Sequence, residues 1–293
     1  PAFAAAPEAD GHARQPRHLV FHPNGKIVYT TNEREKPGVG VWRWDAKRGI
    51  LKPIQDIVTQ PKDFEGTITT ADLHLTPAKP YKDPQNYIRT SERMADEIAA
   101  KEHNGAIWAN QFDNTANRQA HIESTGPEIW DQTDGKVDAF VSAIGTGGTL
   151  SGVGIALKER NKDIKIALAD PFGSAMHTWF QTGELKSEGS SISEGIGQGR
   201  ITKNVEGAPI DMSFQVTDVE MLEEIYGLLL QDGLCVGGST GINVAGAMKL
   251  ARELGPGHTI VTLLCDVGTR YQSKIFNLAF LRERNLPVPP WMS

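Results

Sequence analysis

The sequence has little positive charge to spare. Its 30 lysines and arginines fall short of 36 aspartates and glutamates, leaving a formal net charge of −6. The basic residues are also scattered along the chain, so the electrostatic footprint of a nucleic-acid-binding protein is absent. Cysteine is scarce as well: Cys235 and Cys265 are the two in the chain, both inside apolar runs. That excludes a disulfide framework and suggests buried thiols of a reducing compartment, the cytoplasm. No apolar run approaches the roughly 20 residues that cross a bilayer, so no membrane partner is expected. The start Pro1-Ala2-Phe3 lacks the basic flank of a signal peptide. The first residue is not methionine, which points to processing or to a start other than that of the gene. His103, His121, His177 and His258 have no cysteine or carboxylate at ligand spacing, so no metal site is expected. What remains is an ordinary soluble composition, 39% hydrophobic and 23% charged over 293 residues, enough for two domains.

Two kinds of patterning divide the chain. Residues 17 to 58 read as short strands broken by turn signals: Leu19–Phe21, then Asn24-Gly25, Ile27–Tyr29, Pro37-Gly38, Val39–Trp44, the turn 46–49, and Ile50–Val58. This predicts an antiparallel meander of about four strands, the size of one propeller blade. His18-Leu19-Val20-Phe21-His22-Pro23 returns 54 positions later as Asp72-Leu73-His74-Leu75-Thr76-Pro77, as if a second blade began. Prolines at 80 and 84 then stop it, because proline removes ladder donors. From there helices and strands alternate. Helices are expected over 90–101, 117–130, 149–160, 217–231 and 241–253, with strands at 106–109, 137–143, 164–169 and 259–264. Such alternation implies a mostly parallel sheet covered on both faces. The break is placed between Thr76 and Lys79, giving domains 1–77 and 78–293.

The chemistry gathers in the second part. The apolar strand from Val137 runs into Gly145-Thr146-Gly147-Gly148-Thr149, and a helix follows. Glycines let a ligand approach the backbone, and the free N–H groups and dipole of a helix start favour an anion. Thr146 and Thr149 add hydroxyls. A nicotinamide fingerprint is the first rival, with Asp170 near the position of a ribose-binding acid. It would require a third glycine where the chain has Leu150. A Walker-type loop fails because no Gly-Lys-Ser/Thr follows. A monophosphate is the better guest.

Five motifs in order carry a resemblance. Asn110-Gln111-Phe112-Asp113-Asn114-Thr115-Ala116-Asn117, the Gly145–Thr149 loop, Glu194-Gly195-Ile196-Gly197, Gly237-Gly238-Ser239-Thr240-Gly241 and Gly268-Thr269-Arg270-Tyr271 are similar to those of cysteine synthase. That family is the O-acetylserine sulfhydrylase branch of the pyridoxal-phosphate enzymes that share the tryptophan synthase β-like α/β fold. The resemblance implies pyridoxal 5′-phosphate as cofactor, with its phosphate held by Gly145, Thr146, Gly147, Gly148 and Thr149. It implies that Ser239 meets the pyridine nitrogen, a neutral hydroxyl that suits β-replacement over transamination. Ser239 also stands where a helix opens, a place at which serine serves as a cap. Gln111 would reach the carboxylate of an amino-acid substrate, and Gly195 and Gly197 would flank the cleft. The implied reaction is O-acetylserine plus sulfide giving cysteine and acetate. A homodimer, and docking of the C-terminal tail of serine acetyltransferase, are implied partners.

Two departures qualify the resemblance. The family carries its cofactor on a lysine in a Ser-x-Lys-Asp-Arg stretch, followed by a Ser-Gly-Asn-Thr loop that binds the substrate carboxylate. Neither occurs in these 293 residues. Lys26, Lys36, Lys47, Lys52, Lys62, Lys79 and Lys82 lie in turns or in the proline-rich junction, so no catalytic residue is assigned and the chain is expected not to turn over. In place of that N-terminal region, Pro16 to Lys26, Thr31-Asn32-Glu33 and Ala71 to Pro77 resemble the seven-bladed 6-phosphogluconolactonase propeller, where the region of Arg17 and His18 faces the cleft. One blade cannot close a ring. A non-catalytic binder and a composite of two genes therefore stand beside the enzyme reading. The tail at Pro289-Pro290-Trp291 is expected to strap onto the body.

Overall fold

The computed structural model describes residues 16–22, 24–32, 38–58, 81–101, 103 and 105–292. The expected junction between Thr76 and Lys79 lies outside them, as does the start of a second blade. The chain divides into two compact units, residues 1–108 and 109–293.

The first unit holds the expected meander: β1 (Pro16–Phe21), β2 (Ile27–Asn32), β3 (Gly38–Asp45) and β4 (Ile50–Val58) pair antiparallel in sequence order. Side-chain oxygens fix the turns. Asn24 Oδ1 accepts the Lys26 N–H at 2.9 Å, and Asp45 Oδ1 accepts those of Lys47 and Arg48 at 3.1 Å. Gly40 leaves room for the Trp42 indole, whose Nε1 donates to Thr30 Oγ1 at 2.8 Å. The side chains of Arg17 and His18 lie outside the described set. Helix α1 (Tyr87–Ala99) follows, capped by Asn86.

The second unit is the α/β body. Two short helices, α2 (Ala116–Ala120) and α3 (Gly126–Gln132), are joined by a π-helical turn, His121–Thr125, where one continuous helix was expected. Then come β5 (Ala139–Ser142), α4 (Gly148–Arg160), β6 (Lys165–Pro171), α5 (Met176–Thr182) and β7 (Met212–Val216). Helices α6 (Asp218–Asp232) and α7 (Gly238–Leu254), strand β8 (Ile260–Thr262) and α8 (Leu278–Glu283) complete it. The sheet order is β7-β6-β5-β8 with every pair parallel. Residues 106–109 form no strand: they have no ladder partner among the described residues, and Ile107 is 96% exposed.

Alternation along the strands sorts the core into two faces. Phe140, Ile166 and Leu168 pack with Leu150, Val153 and Leu157 of α4. Ala139, Val141, Ala167 and Ala169 meet α6 and α7 through Met221, Leu222, Ile225, Ile242 and Leu250. The small residues on the second face let α7 approach closely: a Cβ on Gly246 would lie 2.5 Å from that of Ala169. From β5 the chain crosses through α4 to β6, while β8 lies on the other side of β5. The carboxyl ends of β5 and β8 therefore frame a switch point, the place where open parallel sheets hold ligands. Among the described residues no helix is long and apolar enough to cross a membrane.

Candidate functional site

A cavity of about 230 Å³ opens at that switch point. It is lined by Ser142, Ala143, Gly145, Thr146, Gly147 and Thr149 after β5, by Leu263 and Cys265 after β8, and by Ile196, Ser239 and Asn243. The predicted phosphate loop and Ser239 thus share one wall-to-wall space.

The loop's shape is set by what surrounds it. Gly147 adopts φ +91°, the left-handed region, and a Cβ there would collide with Val205. A Cβ on Gly148, the first residue of α4, would run into Asn117 Oδ1. Asn117 itself braces the loop, with Nδ2 donating to Thr146 Oγ1 at 3.0 Å and to the Gln111 carbonyl at 2.8 Å. From the other side Thr202 Oγ1 donates to the Thr146 carbonyl at 2.7 Å. The amide N–H groups of Thr146, Gly147, Thr149 and Leu150 meet no acceptor among the described residues. They sit at the positive end of a 13-residue helix, so an anion there would gain both donors and dipole. The lining residues include no cation, which leaves neutral donors to carry that task.

The opposite wall is polar but internally satisfied. Asn243, almost wholly buried, accepts the Ala143 N–H at 2.7 Å and donates to the Leu263 carbonyl at 2.9 Å and to Cys265 Sγ at 3.4 Å. The Cys265 N–H donates to Thr240 Oγ1 at 2.9 Å. Partial cover on the cavity side of an otherwise exposed residue pushes the thiol's pKa up, partly offset by the Ser239 and Asn243 side chains. Both cysteines count as exposed residues, against the buried thiols their apolar runs suggested. Each sits in a connection beyond the sheet, where apolar neighbours do not guarantee cover. Gly237 caps α7, with Ser239 inside its first turn, so the serine is not the cap.

The remaining predicted residues are near but differently placed. Gly195 has φ +75°, and its carbonyl oxygen would lie 2.7 Å from a Cβ on Gly145. The Gly197 N–H donates to the Ile144 carbonyl at 2.8 Å, so this loop closes against the phosphate loop. Gln111 is exposed and is not among the cavity-lining residues. Its carbonyl accepts from Asn117 and Asn204, and Asn110 before it takes φ +44°. Asp113 meets Arg200 through two contacts of 3.0 and 2.9 Å, which hold the Asp113 carboxyl below its usual pKa. Asp170 is no ribose acid: fully buried, it accepts the His177 N–H at 2.8 Å at the head of α5. Burial pushes its pKa up to about 6. Sequence reasoning passed over Asn117 as a role-bearing residue, and also Thr202, Asn243 and Cys265. Only Asn117 had a signal, lying at the end of a quoted motif.

Comparison with known proteins places the chain among the following relatives. A family model described as pyridoxal-phosphate dependent enzyme matches residues 62–266, and one for the seven-bladed β-propeller lactonase matches residues 6–117. The chain is 45% identical over 274 residues to cysteine synthase 1 of Neurospora crassa, covering 91% of this chain and 71% of that protein. It is 44% identical over 221 residues to cysteine synthase 1 of Emericella nidulans, covering 74% and 58% respectively. A crystal structure of O-acetylserine dependent cystathionine β-synthase from Helicobacter pylori superposes with a TM-score of 0.57 at 31% identity, over 64% of this chain and 57% of that one. The chain thus spans a little over half to under three-quarters of these relatives.

Proposed function

The chain belongs to the family of pyridoxal-phosphate-dependent enzymes, and on that premise we propose that its α/β body binds pyridoxal 5′-phosphate at the Gly145–Thr149 loop in a site of cysteine synthase type. One observation carries the reading: four amide N–H groups at the head of α4 without acceptors among the described residues, in a cavity shared with Ser239. The residues fit the group. The loop amides and the hydroxyls of Thr146 and Thr149 would hold the phosphate, and Ser239 is the candidate partner of the ring nitrogen. When bound, the cofactor supplies an electron sink for carbanion chemistry on an amino acid.

The chain's own residues would bind and orient. Asn117 ties the phosphate loop to the backbone of the Gln111 segment, holding the cradle next to the candidate carboxylate contact. The loop at Gly195 and Gly197 packs against the base of the cradle. Proton transfer has no assigned agent, because no amine lines the cavity among the described residues and the family's lysine stretch does not occur in the sequence. The proposal is therefore a cofactor binder with a cysteine synthase site, whose 293 residues do not themselves convert O-acetylserine and sulfide to cysteine. The same reading carries an amino-acid ligand, a homodimer and docking of the serine acetyltransferase tail, the last two on resemblance alone. The exposed free thiols of Cys235 and Cys265 favour a reducing compartment such as the cytoplasm.

Mixing the chain with pyridoxal 5′-phosphate, reducing with borohydride and mapping by mass spectrometry tests the inactive half of the proposal. No attachment at a single stoichiometric lysine is expected. One lysine labelled to completion, together with cysteine formation, would sink it.

A further inference from the structure

His121 has no part in the site described so far, yet it is joined to the cradle. Its Nε2 lies 3.1 Å from Thr149 Oγ1 and its Nδ1 lies 2.9 Å from Thr125 Oγ1. Both His121 and Thr125 belong to the π-helical turn, a rare local form that is frequent at functional sites. The opposing helix makes room for it. Gly152 sits one turn after Thr149 on α4, and a Cβ there would lie 2.6 Å from His121 Cβ and 2.5 Å from the Arg118 carbonyl oxygen.

What the ring can do follows from hydrogen counting. A threonine hydroxyl has one hydrogen to donate and two lone pairs to accept with, and a neutral imidazole has one N–H and one bare nitrogen. If Nε2 is bare, Thr149 donates to it and turns only lone pairs toward the cavity, which repels an anion. If Nε2 carries the hydrogen, Thr149 accepts from the ring and its own hydrogen is free for the ligand. Thr125 allows the second arrangement by donating to Nδ1. Thr146 reaches the same state by other means: its Oγ1 accepts from Asn117 Nδ2 at 3.0 Å and from the Gly148 N–H at 3.3 Å, so its hydrogen is also free.

We infer that His121 is a positioning residue for the phosphate, its Nε2–H fixing Thr149 as a hydrogen-bond donor to the bound anion. The inference rests on the phosphate reading of the cavity. Burial holds the imidazole below its ordinary pKa, so near neutral pH the ring is uncharged and it is the tautomer that decides.

The test uses the full chain with pyridoxine 5′-phosphate, which lacks the aldehyde and cannot attach to lysine. ¹⁵N NMR of histidine-labelled protein in saturating pyridoxine 5′-phosphate should show His121 in the Nε2–H form. Titration calorimetry should show His121→Leu binding about ten- to a hundred-fold more weakly, the weight of one hydrogen bond to a charged group. His121→Gln, whose amide can donate to Thr149, should stay within about three-fold of the parent chain. An Nδ1–H tautomer in the complex, or parent-like affinity in His121→Leu, overturns the inference alone. Failure of the unsubstituted chain to bind pyridoxine 5′-phosphate overturns the site reading and this inference with it.

Discussion

Gly148→Ala separates the cradle's function from the fold's stability. A methyl group at 148 would overlap Asn117 Oδ1, so the asparagine must swing away and release both of its Nδ2 contacts, to Thr146 Oγ1 and to the Gln111 carbonyl. Each neutral hydrogen bond contributes about 0.5 to 1.5 kcal/mol to stability. Against that loss stands the better helix propensity of alanine, at most about 1 kcal/mol. The variant should therefore be destabilised by no more than about 3 kcal/mol and should fold. Binding should suffer more, because Thr146 loses the neighbour that leaves its hydrogen free and the first amides of α4 shift with it. One lost hydrogen bond to a charged oxygen is worth about 1.5 to 3 kcal/mol, a ten- to hundred-fold weakening. Gly154→Ala is the control on the same helix. Its Cβ would meet Ile166 and Pro209 side-chain atoms at 3.2 and 3.3 Å, contacts that can give, and it is far down α4 from the cradle. Calorimetry with pyridoxine 5′-phosphate, paired with urea unfolding, reads both quantities. If folded Gly148→Ala binds within three-fold of the parent, the loop does not hold the ligand.

Three further outcomes follow from the charges and the missing amine. Asp170 has its pKa raised to about 6 by burial, so the folded state holds its proton more tightly than the unfolded chain. Its contribution to stability is greatest below about pH 4 and is lost as pH rises through 6, by up to about 3 kcal/mol for two pH units; urea unfolding should show the slope between pH 4 and 6 flattened in Asp170→Asn. Arg200→Ala should cost about 1 to 3 kcal/mol in the same assay by leaving Asp113 with the Lys203 N–H alone, and Arg200→Lys should not restore it, because an ammonium cannot bridge both oxygens. The Asp113 carboxyl is depressed, so this pair supports the fold above about pH 4, the ordinary range of that carboxyl, and fades as acid protonates it. Steady-state assay with O-acetylserine and sulfide should give no cysteine above the blank, and turnover would refute the assignment of a missing base.

Much of this was legible in the sequence because local chemistry dictated it. A strand entering Gly145–Thr149 and leaving as a helix permits few other structures, and both the four-strand meander and the parallel sheet appear where their turn and apolar patterns put them. What escaped depends on partners distant in sequence. The π-helical turn at His121 arises from packing on α4 opposite Gly152, which no periodicity announces. The strand β7 is five residues with no clean alternation, visible only once β6 is beside it. The run 106–109 has the right residues for a strand but no ladder partner among those described. Asp170 looked like a ribose acid by spacing, and only its burial and its bond to the His177 N–H show that it serves α5.

The central claim is that the cradle at the head of α4 recognises a phosphate monoester without help from a lysine. Titrating the chain in parallel with pyridoxine 5′-phosphate and with pyridoxine measures that recognition directly, since the two differ by the phosphate alone. Saturable binding of the phosphorylated compound, at least about a hundred-fold tighter than that of pyridoxine, is expected from two or more charge-assisted hydrogen bonds. Equal affinity for both compounds would contradict the account.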